Sequence, residues 1–165
     1  MFVCVVFLAS IFSSKLREGL IGRFQTYGRL KLFIKEKHNR DDIYWFHAAS
    51  LGEFHQIKPI IEGMKKTKED NVIFVSFSSP SGINYALSNA IDLKFYLPFD
   101  FPWTIQKVLA LVKPKKVIFS TYDIWPNLLW FCKIKNIHLN IMSAKLENHS
   151  IKHRPVIVNF YKHLY

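Results

Sequence analysis

Cysteine is nearly absent from this sequence, which excludes several kinds of site. Cys4 and Cys132 are the two cysteines among 165 residues, and they form neither a disulfide framework nor the paired spacing of a zinc site. This usage favours a reducing compartment. His149 and His153 lie four residues apart, but no glutamate between them completes an H-E-x-x-H pattern. We therefore predict that the protein has no metal site. We also expect no cofactor.

The sequence also lacks an apolar run long enough to cross a bilayer, which takes about 20 residues. Its first twelve residues, MFVCVVFLASIF, are apolar, but a secretory signal would carry positive charge ahead of such a run. Here basic residues interleaved with apolar ones follow the run instead. Residues 1–40 therefore predict a hydrophobic tip plus a basic amphipathic segment at the cytoplasmic surface of a membrane. The alternative is an ordinary first helix that packs on the core.

Acidic residues are few, since 12 Asp and Glu stand against 23 Lys and Arg, for a formal charge of +11. Such an excess favours anionic partners, namely phospholipid surfaces, phosphorylated ligands or nucleic acid. Compositional bias alone is the alternative explanation. Half of the residues are hydrophobic, which is too many for a disordered chain. At this length the chain can form one domain with a core of its own.

Short apolar runs alternate with helix-like segments from residue 41 onwards. The pattern predicts strands at residues 43–47, 72–77, 93–97, 116–120 and 138–142. It predicts helices between them at residues 55–66, 82–90, 103–112 and 126–135. This alternation is typical of an α/β domain with a Rossmann-like parallel sheet and helices on both faces. Because such sheets bind ligands at the carboxyl ends of their strands, the turns after the strands are the candidate site.

The turn after the first strand reads HAASLGE. Ser50 and Glu53 form an S-x-x-E capping box if the helix begins here. Pro59 argues for a later start near His55, because a proline in a helix interior costs about 3 kcal/mol. Glu53 would then stand in the loop, where it could act as a general base for a hydroxyl nucleophile. Gly52 would allow a ligand to approach the backbone closely.

The turn after the second strand contains the stretch SSPSG. Ser79, Ser81 and Gly82 precede a helix whose free amides suit a phosphate or carboxylate. The stretch lacks the lysine and the spacing of a P-loop, which argues against ATP hydrolysis. Plain N-capping by serine is the alternative.

Further candidates follow the fourth and fifth predicted strands. In STYDIWPN, Asp123 is either a second active-site carboxylate or a helix-capping acid, and Trp125 is either a lid or a core residue. Asn127 follows a proline at the start of a helix, a position that proline tolerates. In SAKLENHSIKHR, Lys145 either meets an anionic ligand or belongs to a solvated basic face. Spacing does not decide between these roles.

Taken together and in this order, these segments resemble the amino-terminal half of the Kdo transferases, which attach 3-deoxy-D-manno-octulosonic acid (Kdo) to lipid A precursors. HAASLGE resembles the family's HAASVGE, SSPSG its TPTG turn, YLPFDFP its YLPYDLP, TYDIWPN its ETELWPN and SAKLE its NARLS. The basic stretch KLREGLIGRF is also similar to the family's basic helix. The resemblance runs from about Lys15 to the end of the sequence.

The resemblance implies the amino-terminal domain of a GT-B glycosyltransferase, with a Rossmann-like acceptor-binding domain at residues 41–165. It implies inverting transfer of Kdo from CMP-Kdo to the lipid A precursor lipid IVA, at the cytoplasmic face of the inner membrane of a Gram-negative bacterium. Glu53 would be the general base, and Asp123 would stabilise the transition state. The residues that would bind the acceptor are Ser50, Gly52, Ser79, Ser81, Gly82, Trp125, Asn127 and Lys145.

Three positions and the length depart from the family's pattern. Asp123 is one methylene shorter than the family's glutamate, and a shift of about 1 Å matters at a catalytic centre. Thr121 replaces another glutamate, and Lys145 replaces an arginine, whose planar fork a lysine lacks. Because the sequence stops at Tyr165, without the donor-binding domain that would hold CMP-Kdo, we expect this chain alone to be inactive.

Two other classes of function compete with sugar transfer. A non-catalytic basic α/β module would bind anionic membrane lipid with the same charges. Nucleic-acid binding suits the charge and the aromatic content. However, the sequence has no recognised nucleic-acid motif, and its aromatics lie within the apolar runs rather than on a stacking platform. We therefore predict no nucleic-acid partner.

Overall fold

The computed structural model describes residues 13–36, 42–121 and 125–142. Their helices and strands, in chain order, are α1 (Ser14–Glu36), β1 (Ile43–Ala48), α2 (Leu51–Thr67), β2 (Val72–Phe77), α3 (Pro80–Tyr85), β3 (Leu93–Tyr96), α4 (Pro102–Val112), β4 (Lys116–Phe119), α5 (Pro126–Ile134) and β5 (His138–Ile141). Every predicted strand agrees with these bounds to within one residue. The predicted apolar tip at residues 1–12 lies outside the described residues.

The five described strands are all parallel and form one sheet in the order β3-β2-β1-β4-β5. Trp45 of β1 pairs with Phe74 of β2 on one side and with Val117 of β4 on the other. The chain therefore adds strands outward from β1 in one direction, then crosses back and adds β4 and β5 on the other side. This order confirms the predicted Rossmann-like sheet.

Helices cover both faces of the sheet, as predicted. Leu30 of α1, Ile105 of α4 and Leu128 of α5 belong to the buried cluster on one face. Phe54 of α2 and Ala86, which ends α3, belong to the cluster on the other face. A sheet buried on both faces needs continuous apolar strands rather than alternating ones. Accordingly, all six residues of β2 are buried.

Helix α2 begins at Leu51, four residues earlier than predicted, so the later start inferred from Pro59 was wrong. Ser50 is the N-cap, and its hydroxyl oxygen accepts a hydrogen bond from the Glu53 amide at 3.5 Å. Pro59 lies inside the helix at an exposed position. Because His55 is exposed as well, the carbonyl group that loses its usual donor to the proline can bond to water.

Helix α1 packs against β3 along one side, as the alternative interpretation of this segment expected. A Cβ at Gly22 would overlap the ring of Tyr96, so the close approach of helix and strand requires this glycine. The Thr26 hydroxyl donates a hydrogen bond to the Tyr96 carbonyl oxygen at 2.7 Å, and Leu30 is fully buried. Within the described ranges, every helix is too short or too polar to span a bilayer.

Candidate active site

Strands β1 and β4 lie side by side at the centre of the sheet. The connections that leave them run in opposite directions, because β2 flanks β1 and β5 flanks β4. Ligands of open parallel sheets bind in the crevice at such a switch point, beyond the carboxyl ends of the strands. Glu53, in the first turn of the helix after β1, and Ser120, directly after β4, both lie at this position.

Two hydrogen bonds hold the Glu53 carboxylate through a single oxygen. Oε2 accepts from the Ala49 amide and from the Ser120 hydroxyl, each at 2.7 Å. The first bond holds the turn before α2, one residue ahead of the N-cap amide that a capping box would use, whereas the second ties the carboxylate to the end of β4. Within the described residues, Oε1 accepts no hydrogen bond, and the side chain is only half-buried. Glu53 therefore anchors the turn that precedes its helix and still presents one oxygen that can take a proton.

Small residues leave space around this carboxylate. Gly52 is exposed, and the nearest atom to a Cβ at this position would be the Ser50 hydroxyl oxygen at 3.9 Å. Its backbone does not have a positive φ, so the glycine provides room rather than an unusual conformation. Ser50 and Gly52, both predicted to bind the acceptor, thus lie beside Glu53.

The turn after β2 is joined through the backbone to the turn between β1 and α2. Residues 49–53, from that turn into the first turn of α2, form the Glu53 corner. The Ser79 amide donates to the Ala49 carbonyl oxygen at 3.1 Å. The hydroxyl oxygens of Ser79 and Ser81 lie 2.9 Å apart, and Ser79 does not cap α3 with its side chain. Gly82 is buried, and a Cβ there would overlap the ring of Phe77. Packing against Phe77 therefore requires a glycine at position 82, whereas the two serines lie near the candidate site.

A buried histidine with no predicted role lies at the end of β1. His47 is 1% exposed; its Nδ1 lies 2.9 Å from the Ser76 hydroxyl oxygen and its Nε2 lies 3.4 Å from that of Ser78. Its ring meets the rings of Phe119 and Trp125 edge-on, with centroids 5.6 Å and 6.4 Å apart. These contacts fix the ends of three strands relative to one another beneath the crevice.

The side chain of Asn127 is engaged within the fold. Its amide nitrogen donates to the Asp100 carbonyl oxygen at 2.6 Å. The Asp100 carboxylate in turn accepts from the backbone amides of Asn127 and Leu128, both at 2.9 Å, and so caps α5. Burial raises the pKa of the Asp100 carboxyl, and these hydrogen bonds oppose the rise. This cap has no local signal in the sequence, because Asp100 lies 27 residues before Asn127.

Arg23 of α1, a second residue with no predicted site role, joins the ends of β2 and β3. Its guanidinium donates to the Leu97 carbonyl oxygen at 2.7 Å and to that of Ser78 at 3.2 Å. It also lies 5.8 Å from the ring centroid of Phe99 and 5.6 Å from that of Trp125. Trp125 is half-buried, and its indole nitrogen is buried without a hydrogen-bond partner in the described residues.

Two predicted site residues, Asp123 and Lys145, lie outside the described residues, and their roles stay predictions. Within the described part of the chain, no group of three or more His, Cys, Asp and Glu side chains could hold a metal.

Comparison of the sequence with known proteins assigns the chain to a family. The sequence profile described as 3-deoxy-D-manno-octulosonic-acid transferase (Kdo transferase) matches residues 21–165. The chain belongs to the Kdo transferase family. The resemblance inferred from the motifs is thereby confirmed, and the matched residues include Arg23, Glu53, Ser120 and Trp125.

Several Kdo transferases are similar to this chain over much of its length. It is 33% identical to 3-deoxy-D-manno-octulosonic acid transferase of Aquifex aeolicus over 113 residues, which cover 67% of this chain and 31% of the relative. It is 27% identical to the Haemophilus influenzae enzyme of the same name over 150 residues, or 90% of this chain and 34% of the relative. A probable mitochondrial member from Arabidopsis thaliana is 29% identical over 113 residues, or 67% and 25%. The chain thus spans about a third or less of the length of these relatives.

Proposed function

We propose that this chain is the acceptor-binding part of an enzyme that transfers Kdo from CMP-Kdo to lipid IVA in lipopolysaccharide biosynthesis. Membership of the family supports Kdo transfer. The acceptor would bind at the carboxyl edge of the sheet, where ligands of such sheets bind. CMP-Kdo would bind mainly to a carboxy-terminal domain, and the reaction would need no metal or cofactor.

In the proposed reaction, Glu53 Oε1 takes the proton of a sugar hydroxyl on the acceptor. The hydroxyl oxygen attacks the anomeric carbon of Kdo, the bond from this carbon to the phosphate oxygen of CMP breaks, and CMP leaves with the bonding electrons. Because attack and departure occur on opposite faces, the configuration inverts and no covalent glycosyl-enzyme is needed, as in inverting glycosidases.

The position of the Glu53 carboxylate carries this proposal. A general base must first be within reach of the proton that it abstracts. Glu53 lies at the switch point, and its two described donors occupy Oε2 and leave Oε1 for the acceptor. We further propose that Asp123 stabilises positive charge on the sugar in the transition state, and that the acceptor contacts Ser50, Gly52, Ser79, Ser81, Gly82, Trp125, Asn127 and Lys145.

The test measures Kdo transfer from CMP-Kdo to lipid IVA by this chain joined to the carboxy-terminal half of the Aquifex aeolicus relative. Glu53→Gln should lower the rate by about 10²–10⁴-fold, the usual contribution of a general base. Glu69→Gln, an exposed glutamate in the turn after α2, is the matched control and should leave the rate unchanged. Turnover of Glu53→Gln at the unsubstituted rate would remove Glu53 from its role. The 165-residue chain alone should show no transfer.

The outer side of α1 favours a second candidate, a non-catalytic module that binds anionic membrane lipid. Its exposed side chains combine the apolar Leu16, Ile21, Phe24 and Leu32 with the basic Arg17, Lys31 and Lys35. This mixture suits the headgroup region of an anionic bilayer, and we propose the cytoplasmic face of the inner membrane as the location. The donor-dependent assay separates the candidates, because lipid binding alone yields no product.

A further inference from the structure

An apolar groove lies between the first half of α1 and the loops that follow β2 and β3. Its volume is about 520 Å³, within the range of about 300–1,000 Å³ that is usual for ligand pockets. Its apolar lining comes from Leu16, Leu20, Pro80, Phe99, Phe101 and Trp125. Gly19 also lines the groove, and a Cβ at this position would meet no atom within 4 Å.

The walls of the groove are fixed by contacts within the fold. Phe99 stacks on Phe101 with centroids 5.9 Å apart, and Phe24 of α1 contacts Phe99 at 5.2 Å. Arg23 bonds to the carbonyl oxygens at the ends of the loops and lies over the rings of Phe99 and Trp125. A groove held open in this way loses little conformational entropy when a ligand enters.

The surroundings of the groove are cationic on one side and adjoin the Glu53 corner on the other. Lys15 and Arg23 line it on the α1 side, whereas Asp100, which also lines it, already accepts hydrogen bonds from two amides of α5. Helix α1 as a whole carries six basic and two acidic residues, a difference of +4. Ser79 also lines it, and the Ser79 amide bonds to Ala49, whose own amide donates to Glu53. An amphiphile in the groove would therefore have its anionic headgroup near cations and its sugar near the carboxylate.

We propose that this groove binds one acyl chain of the phosphorylated, sugar-headed lipid acceptor and so places the sugar hydroxyl at Glu53. This inference rests on the proposed function, since it names a subsite for the same acceptor. The charge pattern favours this occupant over the apolar residues 1–12 of the chain itself, which carry no charged side chain. A second copy of this basic chain is also disfavoured, because it would bring further positive charge to a cationic rim.

The test titrates the full 165-residue chain with hexyl, octyl and decyl phosphate below their micelle concentrations, by calorimetry. Affinity should rise about fourfold for each added methylene that is buried. An affinity independent of chain length, or no binding because residues 1–12 or a second copy fill the groove, would overturn the proposal.

Two glycines of α1 supply matched variants. Gly19→Leu adds a side chain at a residue that lines the groove, whereas Gly28→Leu adds the same side chain at an exposed position of the same helix. Neither new Cβ would meet an atom within 4 Å, and both changes raise helix propensity equally. Both variants should fold, as thermal unfolding will show. Gly19→Leu should lower the affinity for decyl phosphate at least tenfold, and Gly28→Leu should leave it unchanged; equal affinities of the two variants would overturn the proposal.

The headgroup separates the acceptor from bulk phospholipid. Decyl phosphate is compared with a glucosamine phosphate that carries one N-decanoyl chain. Tighter binding of the sugar-headed probe supports the acceptor, whereas equal binding would overturn this assignment. No step of these titrations uses a donor or the Glu53 proton transfer, so their failure is distinct from failure of the Glu53→Gln test.

Discussion

At the residue scale, Glu53 has two tasks, one in the fold and one in the proposed chemistry. Its Oε2 satisfies the Ala49 amide and the Ser120 hydroxyl, which is 1% exposed as a residue. Leaving a buried donor without its acceptor costs about 1–3 kcal/mol. A substitution that is meant to probe chemistry must therefore keep an acceptor oxygen at this position.

We expect Glu53→Ala to lower the free energy of unfolding by about 1–3 kcal/mol, because both donors lose their acceptor. Glu53→Gln should cost clearly less, because its amide oxygen can still accept while it cannot act as a base at neutral pH. Urea denaturation of the 165-residue chain measures both values. Equal losses for the two variants would show that the two hydrogen bonds contribute little to stability.

The sequence predicted Glu53 as a site residue, but not Ser120 or His47. Glu53 has a local signal, since it closes a turn of small residues directly after an apolar strand. Ser120 acquires its role because β4 lies beside β1, and this neighbourhood is a property of strand order rather than of local sequence. The partners of His47 are likewise set by the strands on either side of it.

At the scale of single elements, the contact between α1 and β3 depends on one missing side chain. Gly22→Ala would place a methyl group within the ring of Tyr96, and such overpacking typically costs about 1–3 kcal/mol. The control is Gly63→Ala in α2, where a Cβ meets nothing within 4 Å and helix propensity predicts a gain of up to about 1 kcal/mol. Chemical denaturation should therefore give shifts of opposite sign; a gain in both variants would contradict this packing.

The cap of α5 predicts a pH dependence. Because burial raises the pKa of Asp100 above its ordinary value of 3.8, the folded chain holds this proton more tightly than the unfolded chain. The resulting stability is fully present below 3.8 and is lost as the pH rises through the raised pKa. The free energy of unfolding of Asp100→Asn relative to the unsubstituted chain should therefore increase between about pH 3.5 and about pH 7. A difference that stays constant over this range would contradict the assignment.

The strands could be predicted closely, whereas the start of α2 could not. Strands β1, β2 and β4 are runs rich in β-branched and aromatic residues, so their signal lies in the local sequence, whereas β3 (LKFY) and β5 (HLNI) carry a weaker one. At α2, the cap at Ser50 and the proline at position 59 gave opposing signals. The exposed position of Pro59 resolves the conflict, and that exposure is known only once the helix is docked on the sheet.

At the scale of the whole molecule, the positive charge and the outer side of α1 predict binding to anionic vesicles. The chain should sediment with phosphatidylglycerol-containing vesicles at low salt and much less at 1 M salt, where the Debye length falls from about 10 Å to about 3 Å. Leu32→Ser, at a side chain 63% exposed on α1, should weaken this binding about tenfold. Ile60→Ser, at an exposed side chain of α2 on the opposite face, is the control; an equal effect of both would exclude α1 as the contact surface.

The hydrogen bond between Glu53 and Ser120 also bears on the synthesis of the chain. The two residues are 67 positions apart, and ribosomes add about 5–20 residues per second. For roughly 3–13 s after Glu53 has been added to the chain, its partner Ser120, which follows β4, has therefore not been made. The nascent chain can begin to pair β1 with β2 in this interval, but the crevice itself is completed only after translation has passed Ser120.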